Sequence, residues 1–421
     1  MSACLHRDHR TPPHPLPASG LSRPRPRHRR DDRAATLLCG LSLLAACAKQ
    51  PELGDPLPGL TSEQRAQFER GRATFAEEFC TETGLGPLFN AASCAECHES
   101  PVAGGPGDEI ELHMTAFMPG EDPICNPLIE QGGPVIQQDA TAALRVALRI
   151  KKEPEPSKAT GRGRRTTPDL FGFGLLDAVP EATIFALADP DDRNKDGISG
   201  RVNRSFDGRV GRFGRKAAVA SLHEFNDGAY LFEQGVTSPA FPSEDSIGGK
   251  PIPDGVDPVE DPEITQETLD ATDAFVRFLA PPAPKPLDAE GRRGKQVFSE
   301  IGCAACHVPT LRTAADHPVI ALRNKEVAAY TDLLLHDMGP ELADICLGLA
   351  TPSEFRTEPL MGLRLSEDIE EGEPRFLHDG RAKTIEEAIQ LHGGEGASSR
   401  DQFKLLPQAD RLALVMFLRS L

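Results

Sequence analysis

The chain contains the pentapeptides Cys94-Ala95-Glu96-Cys97-His98 and Cys303-Ala304-Ala305-Cys306-His307. Both match Cys-x-x-Cys-His, the signature of covalent c-type haem attachment. In this motif the cysteines form thioethers with the porphyrin, and the histidine becomes an iron ligand. The alternative, two zinc or disulfide Cys-x-x-Cys pairs, requires further cysteines or histidines at metal-ligand spacing, and none stand close by in the sequence. We therefore predict two covalently bound c-type haems.

The composition indicates which kinds of binding partner are favoured. The 421 residues are enough for two or three domains, and the net charge is −18. An acidic surface argues against nucleic acid, whose phosphates require positive charge. It suits electrostatic docking of a basic partner, such as a small cytochrome that donates electrons, although solubility alone would also explain the charge.

The N-terminal segment predicts export. An apolar run over residues 34–46 follows Arg29, Arg30 and Arg33, and it is too short to span a bilayer. It ends in Leu44-Ala45-Ala46-Cys47, which resembles a bacterial lipobox. We therefore interpret residues 1–47 as a lipoprotein signal segment, residues 48–60 as a tether, and Cys47 as the site of a lipid anchor in the cell envelope, on the periplasmic side or in the outer membrane. Ordinary secretory cleavage nearby is the alternative.

Three cysteines remain when those of the signal segment and of the two haem motifs are set aside. They are Cys80, Cys125 and Cys346. An oxidising compartment favours one disulfide. We expect Cys80 to pair with Cys125, because both belong to the first haem segment, and Cys346 then has no assigned role.

A faint internal duplication suggests two domains. Residues 70–75 and 293–298 precede the two motifs with similar sequences, and residues 266–279 and 408–421 close the two halves with helical periodicity. A proline-rich linker over residues 281–286 separates the halves. The sequence predicts a mainly α fold with two cytochrome c-like haem domains, an enlarged, loop-rich one over residues 61–282 and a smaller one over residues 287–421.

The segment from Phe376 to His392 resembles the C-terminal part of bacterial di-haem cytochrome c peroxidases and of MauG enzymes. Those proteins carry an aromatic-x-His-Asp-Gly turn, and the sixth ligand of the C-terminal haem follows 14 residues after its histidine. The turn histidine here is His378, so the resemblance implies His392 as the partner of His307 on one iron. Thr384 can cap the helix that leads to His392. A surface role for His392 is the alternative.

A broader resemblance, to the bacterial di-haem oxidoreductase family, covers roughly residues 80–421. It rests on the stretches Gly84–Asn90, Gly174–Glu181, Asp196–Arg201, Gly211–Gly214, Asp332–Gly339 and Glu354–Thr357. The resemblance implies a reactive N-terminal haem and electron entry through the C-terminal haem. The chain departs from the related peroxidases because it has no Trp to relay electrons between the haems. Electrons would then tunnel directly or use Phe or Tyr.

Further site residues follow from the same resemblance. His113 lies near where some peroxidases hold a removable distal histidine, and Glu181 aligns with their acid–base glutamate. The alternatives are a loop histidine and a helix N-terminal glutamate. Arg165 and Arg356 are candidates for binding haem propionates, and ordinary turn salt bridges are their alternative.

Asp192, Asn194 and Asp196 match the first half of a calcium loop, but position 12 of that loop is Asn203 instead of Glu. Calcium bound between the domains of related enzymes favours a site, and an Asp/Asn/Gly turn is the alternative.

The sequence as a whole predicts an exported di-haem c-type cytochrome oxidoreductase. It would reduce peroxide or another small oxidant at the N-terminal haem, with electrons relayed through the C-terminal haem. Its alternatives are a non-enzymatic di-haem electron carrier and an oxygenase or protein-modifying enzyme.

Overall fold

A computed structural model describes residues 50–367, 369 and 373–421. Residues 1–47 and the proposed lipid site Cys47 therefore lie outside the described residues. Residues Pro51–Leu421 form one compact unit.

Helices carry more of the described residues than strands do, which agrees with the expectation of a mainly helical chain. Most of the longer helices begin at a Ser, Thr or Asp whose side chain accepts a backbone N–H of the first turn. The helices are α1 (Ser62–Phe75), α2 (Cys94–Cys97), α3 (Ala142–Leu148), α4 (Phe173–Asp177), α5 (Glu181–Leu187), α6 (Leu222–Gln234), α7 (Gln266–Phe278), α8 (Ala289–Glu300), α9 (Ile385–Leu391), α10 (Ala397–Leu405) and α11 (Gln408–Leu418).

The first half also contains an antiparallel sheet where the sequence indicated mostly loops. The strands of both halves, within the described residues, are β1 (Leu88–Phe89), β2 (Ile110–Met118), β3 (Ile124–Asn126), β4 (Val135–Ile136), β5 (Asp139–Ala140), β6 (Gly161–Thr166), β7 (Leu311–Arg312), β8 (Glu326–Val327), β9 (Leu335–Asp337) and β10 (Glu354–Arg356). Strand β2 is the centre of the largest sheet and pairs with β3, β4 and β6. Because β6 is rich in Gly and Arg, its composition gave no strand signal.

Each half contains a pair of crossing helices. Helix α1 packs on α7, and helix α8 packs on α11. A Cβ atom added to Gly71 would lie 2.0 Å from the carbonyl oxygen of Ala271, and one added to Gly294 would lie 1.9 Å from that of Ala413. Only glycine permits backbones to approach this closely.

Two hydrophobic clusters lie beside the two motifs. One is built only from residues beyond position 296, including Phe298, Tyr330 and Phe417. The larger one joins Phe75 and Phe275 to residues of the second half, such as Leu333. Core packing therefore crosses the linker, and the two-domain division stays a prediction.

The disulfide prediction was wrong. Cys125 is bonded to Cys346, with 5.8 Å between their Cα atoms, and Cys80 is disulfide-bonded but not to Cys125. The cause is a long-range contact. The backbone N–H of Cys346 donates to the Thr115 hydroxyl (3.2 Å), so the segment carrying Cys346 lies against β2, beside the strand that carries Cys125. Proximity in sequence was a poor guide, because tertiary packing brought residues 221 positions apart together.

Candidate haem sites

The first motif forms a single helical turn, α2, which Ser93 caps by accepting the Glu96 N–H at 3.1 Å. At its end, His98 Nδ1 lies 3.0 Å from the carbonyl oxygen of Pro168. A carbonyl can only accept, so Nδ1 carries the proton and Nε2 keeps its lone pair. Burial lowers the pKa of His98, which keeps the imidazole in the neutral form that binds iron.

The second motif repeats this arrangement. His307 Nδ1 lies 3.0 Å from the carbonyl oxygen of Tyr330, which again leaves Nε2 with its lone pair. Burial, together with the neighbouring His392, lowers the pKa of His307 to about 4. An aromatic ring flanks each motif histidine: Phe75 lies 6.1 Å from His98, and Phe298 lies 6.5 Å from His307, between ring centroids.

The donors present fit covalently bound haem. Cys94, Cys97, Cys303 and Cys306 are free of disulfides, as thioether formation requires. A large cavity is lined by Cys303, Cys306 and His307. Arg356 is almost fully buried, and its Nε and Nη1 atoms have no hydrogen-bond partner among the described residues. Unpaired guanidinium nitrogens inside a protein call for an anionic partner, and a propionate would supply one.

His392 lines the same cavity as His307. Thr384 caps α9 by accepting the Glu387 N–H at 3.1 Å, as the sequence indicated, and His392 is the residue that ends this helix. His392 Nδ1 lies 2.7 Å from the carbonyl oxygen of Ala388, so its Nε2 also keeps a lone pair. The structure thus brings two neutral histidines into one cavity, although their role as an iron-ligand pair stays a prediction.

His336 also lines the cavity, but both of its ring nitrogens are engaged. Nδ1 lies 2.6 Å from Glu395 Oε2, and Nε2 lies 2.9 Å from Asp332 Oδ2. Burial alone would lower the pKa of His336, but hydrogen bonds to Asp332, Cys306 and Glu395 outweigh it and raise the pKa to about 12. His336 thus lies buried between two carboxylates. Cys306, Asp332 and His336 also lie close enough to share a metal ion, which the sequence did not suggest.

His378 lies elsewhere on the cavity wall. Its ring stacks on Phe355 with 4.1 Å between centroids, and its Nε2 is 3.4 Å from Asp344. Burial and the positive charge of Arg165 lower its pKa to about 3. Arg165 itself is paired with Asp344, and its buried Nη2 atom has no partner in residues 50–367, 369 and 373–421. Binding of a haem propionate by Arg165 stays a prediction.

The first motif has acidic neighbours that the sequence analysis missed. His113 lies on β2, and its Nε2 is 2.9 Å from Glu111 Oε2, while its Nδ1 is buried and has no partner within the part of the chain that the structure describes. Burial raises the pKa of Glu111, but His113 and then His98 outweigh this effect and lower it. Burial and the charge of Glu111 hold the pKa of Glu233 well above its ordinary value. The signal available in the sequence was spacing, since residues 111 and 113 share one face of a strand.

Glu181 lies in the first turn of α5, where its side chain is exposed and Oε1 accepts the Val210 N–H at 3.3 Å. These contacts are those of a glutamate at a helix N-terminus, which was the alternative for Glu181. The acid–base role of Glu181 stays a prediction.

The residues of the predicted calcium loop lie in an exposed turn. Their side chains bond to one another and to the loop backbone: Asn194 donates to Asp196, and the Gly197 N–H donates to Asp192. Among the described residues, the acidic groups close enough to share an ion do not include Asp192, Asn194 and Asp196. Calcium binding there stays a prediction.

One layer of backbone separates the two sites. Pro168, whose carbonyl oxygen receives the His98 hydrogen bond, also lines the cavity that contains His307. Gly107 lines it as well, and a Cβ atom there would lie 1.9 Å from the carbonyl oxygen of Cys97. The backbone at Pro168 therefore borders both sites.

Two Cys-x-x-Cys-His motifs, each with an oriented histidine, define a di-haem redox protein. The profile of the family described as "Di-haem oxidoreductase, putative peroxidase" matches residues 157–421, and the chain belongs to this family. The matched region begins after the first motif and contains the second. Comparison with curated protein sequences gave no significant match.

Two solved structures resemble this chain with low sequence identity and low TM-scores. One is hydrazine synthase of Kuenenia stuttgartiensis pressurised with xenon, at 15% identity and a TM-score of 0.40 over 92% of this chain and 100% of that chain. The other is a MauG-like protein associated with microbial copper homeostasis, at 16% identity and a TM-score of 0.37 over 89% and 94%.

Proposed function

We propose that this di-haem oxidoreductase reduces hydrogen peroxide or another small oxidant at the first motif, with electrons relayed through the second. One asymmetry carries the proposal. His392 shares a cavity with His307 and keeps the lone pair of its Nε2, whereas the Nε2 of His113, near the first motif, is engaged by Glu111. The iron of the second haem would then have two protein ligands and would serve electron transfer, while the first haem would stay accessible to a substrate.

Haem bound at these residues supplies the one-electron redox chemistry. The protein's part is to hold the iron ligands and to move protons. Reduction of one peroxide to two waters consumes two electrons and two protons. His113 is hydrogen-bonded to Glu111, and its buried Nδ1 lacks a partner among the residues described, so the pair can accept and return a proton beside the first motif. Glu233, whose pKa is raised, extends this group as a proton reservoir.

Electrons would pass from the second site to the first through the backbone at Pro168. The Pro168 carbonyl receives the His98 hydrogen bond at 3.0 Å, and the same residue borders the His307 cavity. This route needs no aromatic relay and accounts for function in a chain that has no Trp.

The donor and the location belong to the same proposal. The acidic chain suits a small basic redox protein as electron donor. Lipid on Cys47 would tether the protein to the cell envelope, where c-type haem is attached. Within the described residues, every helix is too short or too polar to cross a bilayer.

The test combines spectroscopy with turnover. Electron paramagnetic resonance should show one high-spin and one low-spin haem, and carbon monoxide should bind the reduced protein at the first haem only. Peroxide should be consumed with a reduced small cytochrome as donor, and H113A and E111Q should each lower turnover about 10²-fold or more while both haems stay attached. Two low-spin haems inert to peroxide would instead identify an electron carrier. A reactive high-spin haem without peroxide turnover would favour oxygenase or protein-modifying chemistry.

A further inference from the structure

We propose that His336 and Glu395 form an ionic clamp that positions His392 against the second haem site. This inference rests on the proposed His307/His392 pair. His336 is 3% exposed, and each of its ring nitrogens faces a carboxylate. To bind iron it would have to release one of these ion pairs, so its geometry suits holding another residue in place.

Glu395 connects the clamp to the ligand loop, because it follows His392 by only three residues. Its Oε2 bonds His336 Nδ1 at 2.6 Å and the Ser199 N–H at 3.1 Å, and its Oε1 accepts the Ser199 hydroxyl at 2.7 Å. One carboxylate therefore ties the His392 loop both to β9, which carries His336, and to a turn of the first half.

The backbone of this loop is pressed against β9 and the residue after it. A Cβ atom on Gly394 would lie 2.0 Å from the carbonyl oxygen of Asp337, and one on Gly393 would lie 2.6 Å from that of Met338. On the other side, α9 fixes the His392 ring through the Ala388 carbonyl. His392 is thus held by α9 before its position in the chain and by the clamp after it.

The His392 carbonyl also accepts a hydrogen bond from Arg400 Nη1 at 3.0 Å, which supports the loop but does not set the ring. The ring orientation depends on where the loop leaves α9. Loss of the clamp should therefore let the loop move away from β9 and withdraw Nε2 from the iron.

The experiment uses the full haem-loaded protein and compares H336A, E395A and E395Q with H392A. The matched control is H223A, which removes a histidine of a His–Asp pair on α6 (His223 and Asp227, 3.6 Å). We expect H336A and E395A to reproduce the H392A phenotype in part: the low-spin signal of the second haem falls by half or more, and carbon monoxide then binds both haems. The isosteric E395Q keeps an uncharged acceptor and should lie between wild type and E395A, and H223A should match wild type.

The outcomes separate the clamp from the ligand assignment. If H392A changes the second haem but H336A and E395A do not, the clamp is refuted and the proposed ligand pair stands. If H336A alone removes the low-spin signal and H392A does not, His336 is the ligand and both proposals fail. Where H336A yields no folded protein, E395Q and S199A decide, and their failure to shift the spin state refutes the clamp. One haem per chain with stoichiometric zinc at Cys306, Asp332 and His336 would also overturn it.

Discussion

Gly71 and Gly294 make the same contact in the two halves of the chain. Each lies where one helix crosses another, and a Cβ atom on either would come within 2.0 Å of a backbone carbonyl oxygen, that of Ala271 or that of Ala413. Each also abuts a phenylalanine, Phe275 or Phe417, that lies one turn further along the partner helix. The faint duplication of the sequence therefore corresponds to a repeated helix crossing.

Substituting either glycine should separate its helix pair. We expect G71A and G294A each to lower the free energy of unfolding by about 2 kcal/mol or more, because backbone atoms cannot yield as a flexible side chain can. Urea denaturation measures the change. G120A is the matched control, because a Cβ atom there meets nothing within 4 Å. Equal stability of all three variants would refute the close crossing.

Replacing His392 should change the reduction potential of the second haem. Methionine is a weaker donor to oxidised iron than histidine, so H392M should raise the reduction potential of the second haem by on the order of 0.1 V, within the roughly 0.8 V range that axial ligands cover. Spectroelectrochemical titration resolves the two haems. H223M should leave both potentials in place, and an unchanged second potential in H392M would remove His392 from the iron.

Glu153 should make stability depend on pH. It is 2% exposed, its Oε2 accepts the Gln137 N–H at 2.9 Å, and burial raises its pKa to about 8 from an ordinary value of 4.5. Between these two pH values the folded chain holds a proton that the unfolded chain has lost, so stability falls as pH rises, by at most about 1.4 kcal/mol per pH unit.

The isosteric variant E153Q cannot lose that proton. Its stability relative to wild type should therefore increase from pH 5 to pH 8, as measured by urea denaturation across that range. E121Q, at an exposed position, serves as control and should follow the wild-type profile. Parallel profiles for wild type and E153Q would contradict the raised pKa.

Removal of the disulfide should destabilise the fold. Cys125 and Cys346 close a loop of more than 200 residues, and such a crosslink restricts the unfolded chain strongly. We expect C125S/C346S to lose about 2–5 kcal/mol in denaturant unfolding. A reductant should narrow the gap between wild type and the double variant, whereas an unaltered midpoint in the variant would show that the bond contributes little.

Local signals in the sequence anticipated local structure. The helices at residues 266–278 and 408–418 occur where periodicity placed them, and Thr384 caps its helix as predicted. Helical periodicity and helix capping both involve residues only a few positions apart in the sequence, so they can be recognised without the tertiary structure. The family was also anticipated, because its motifs are short and contiguous.

The errors and omissions involve contacts between distant segments. Cys346 reaches Cys125 only because its segment packs on β2, and Glu395 meets His336 across 59 positions. No periodicity or spacing encodes such pairings. Glu111 is intermediate: its position two residues before His113 was visible, but its closeness to Glu233 depends on the tertiary fold.

The Cys125–Cys346 bond also constrains the order of events in maturation. Cys346 follows both Cys-x-x-Cys-His motifs along the chain, so this bond cannot close until all four motif cysteines have been synthesised. The proposed attachment of two haems would then require the nascent protein to keep the four motif thiols reduced while Cys125 and Cys346 are oxidised. An oxidant that acts before the haems are attached would then also oxidise the motif cysteines. The product would be an apoprotein with mispaired disulfides.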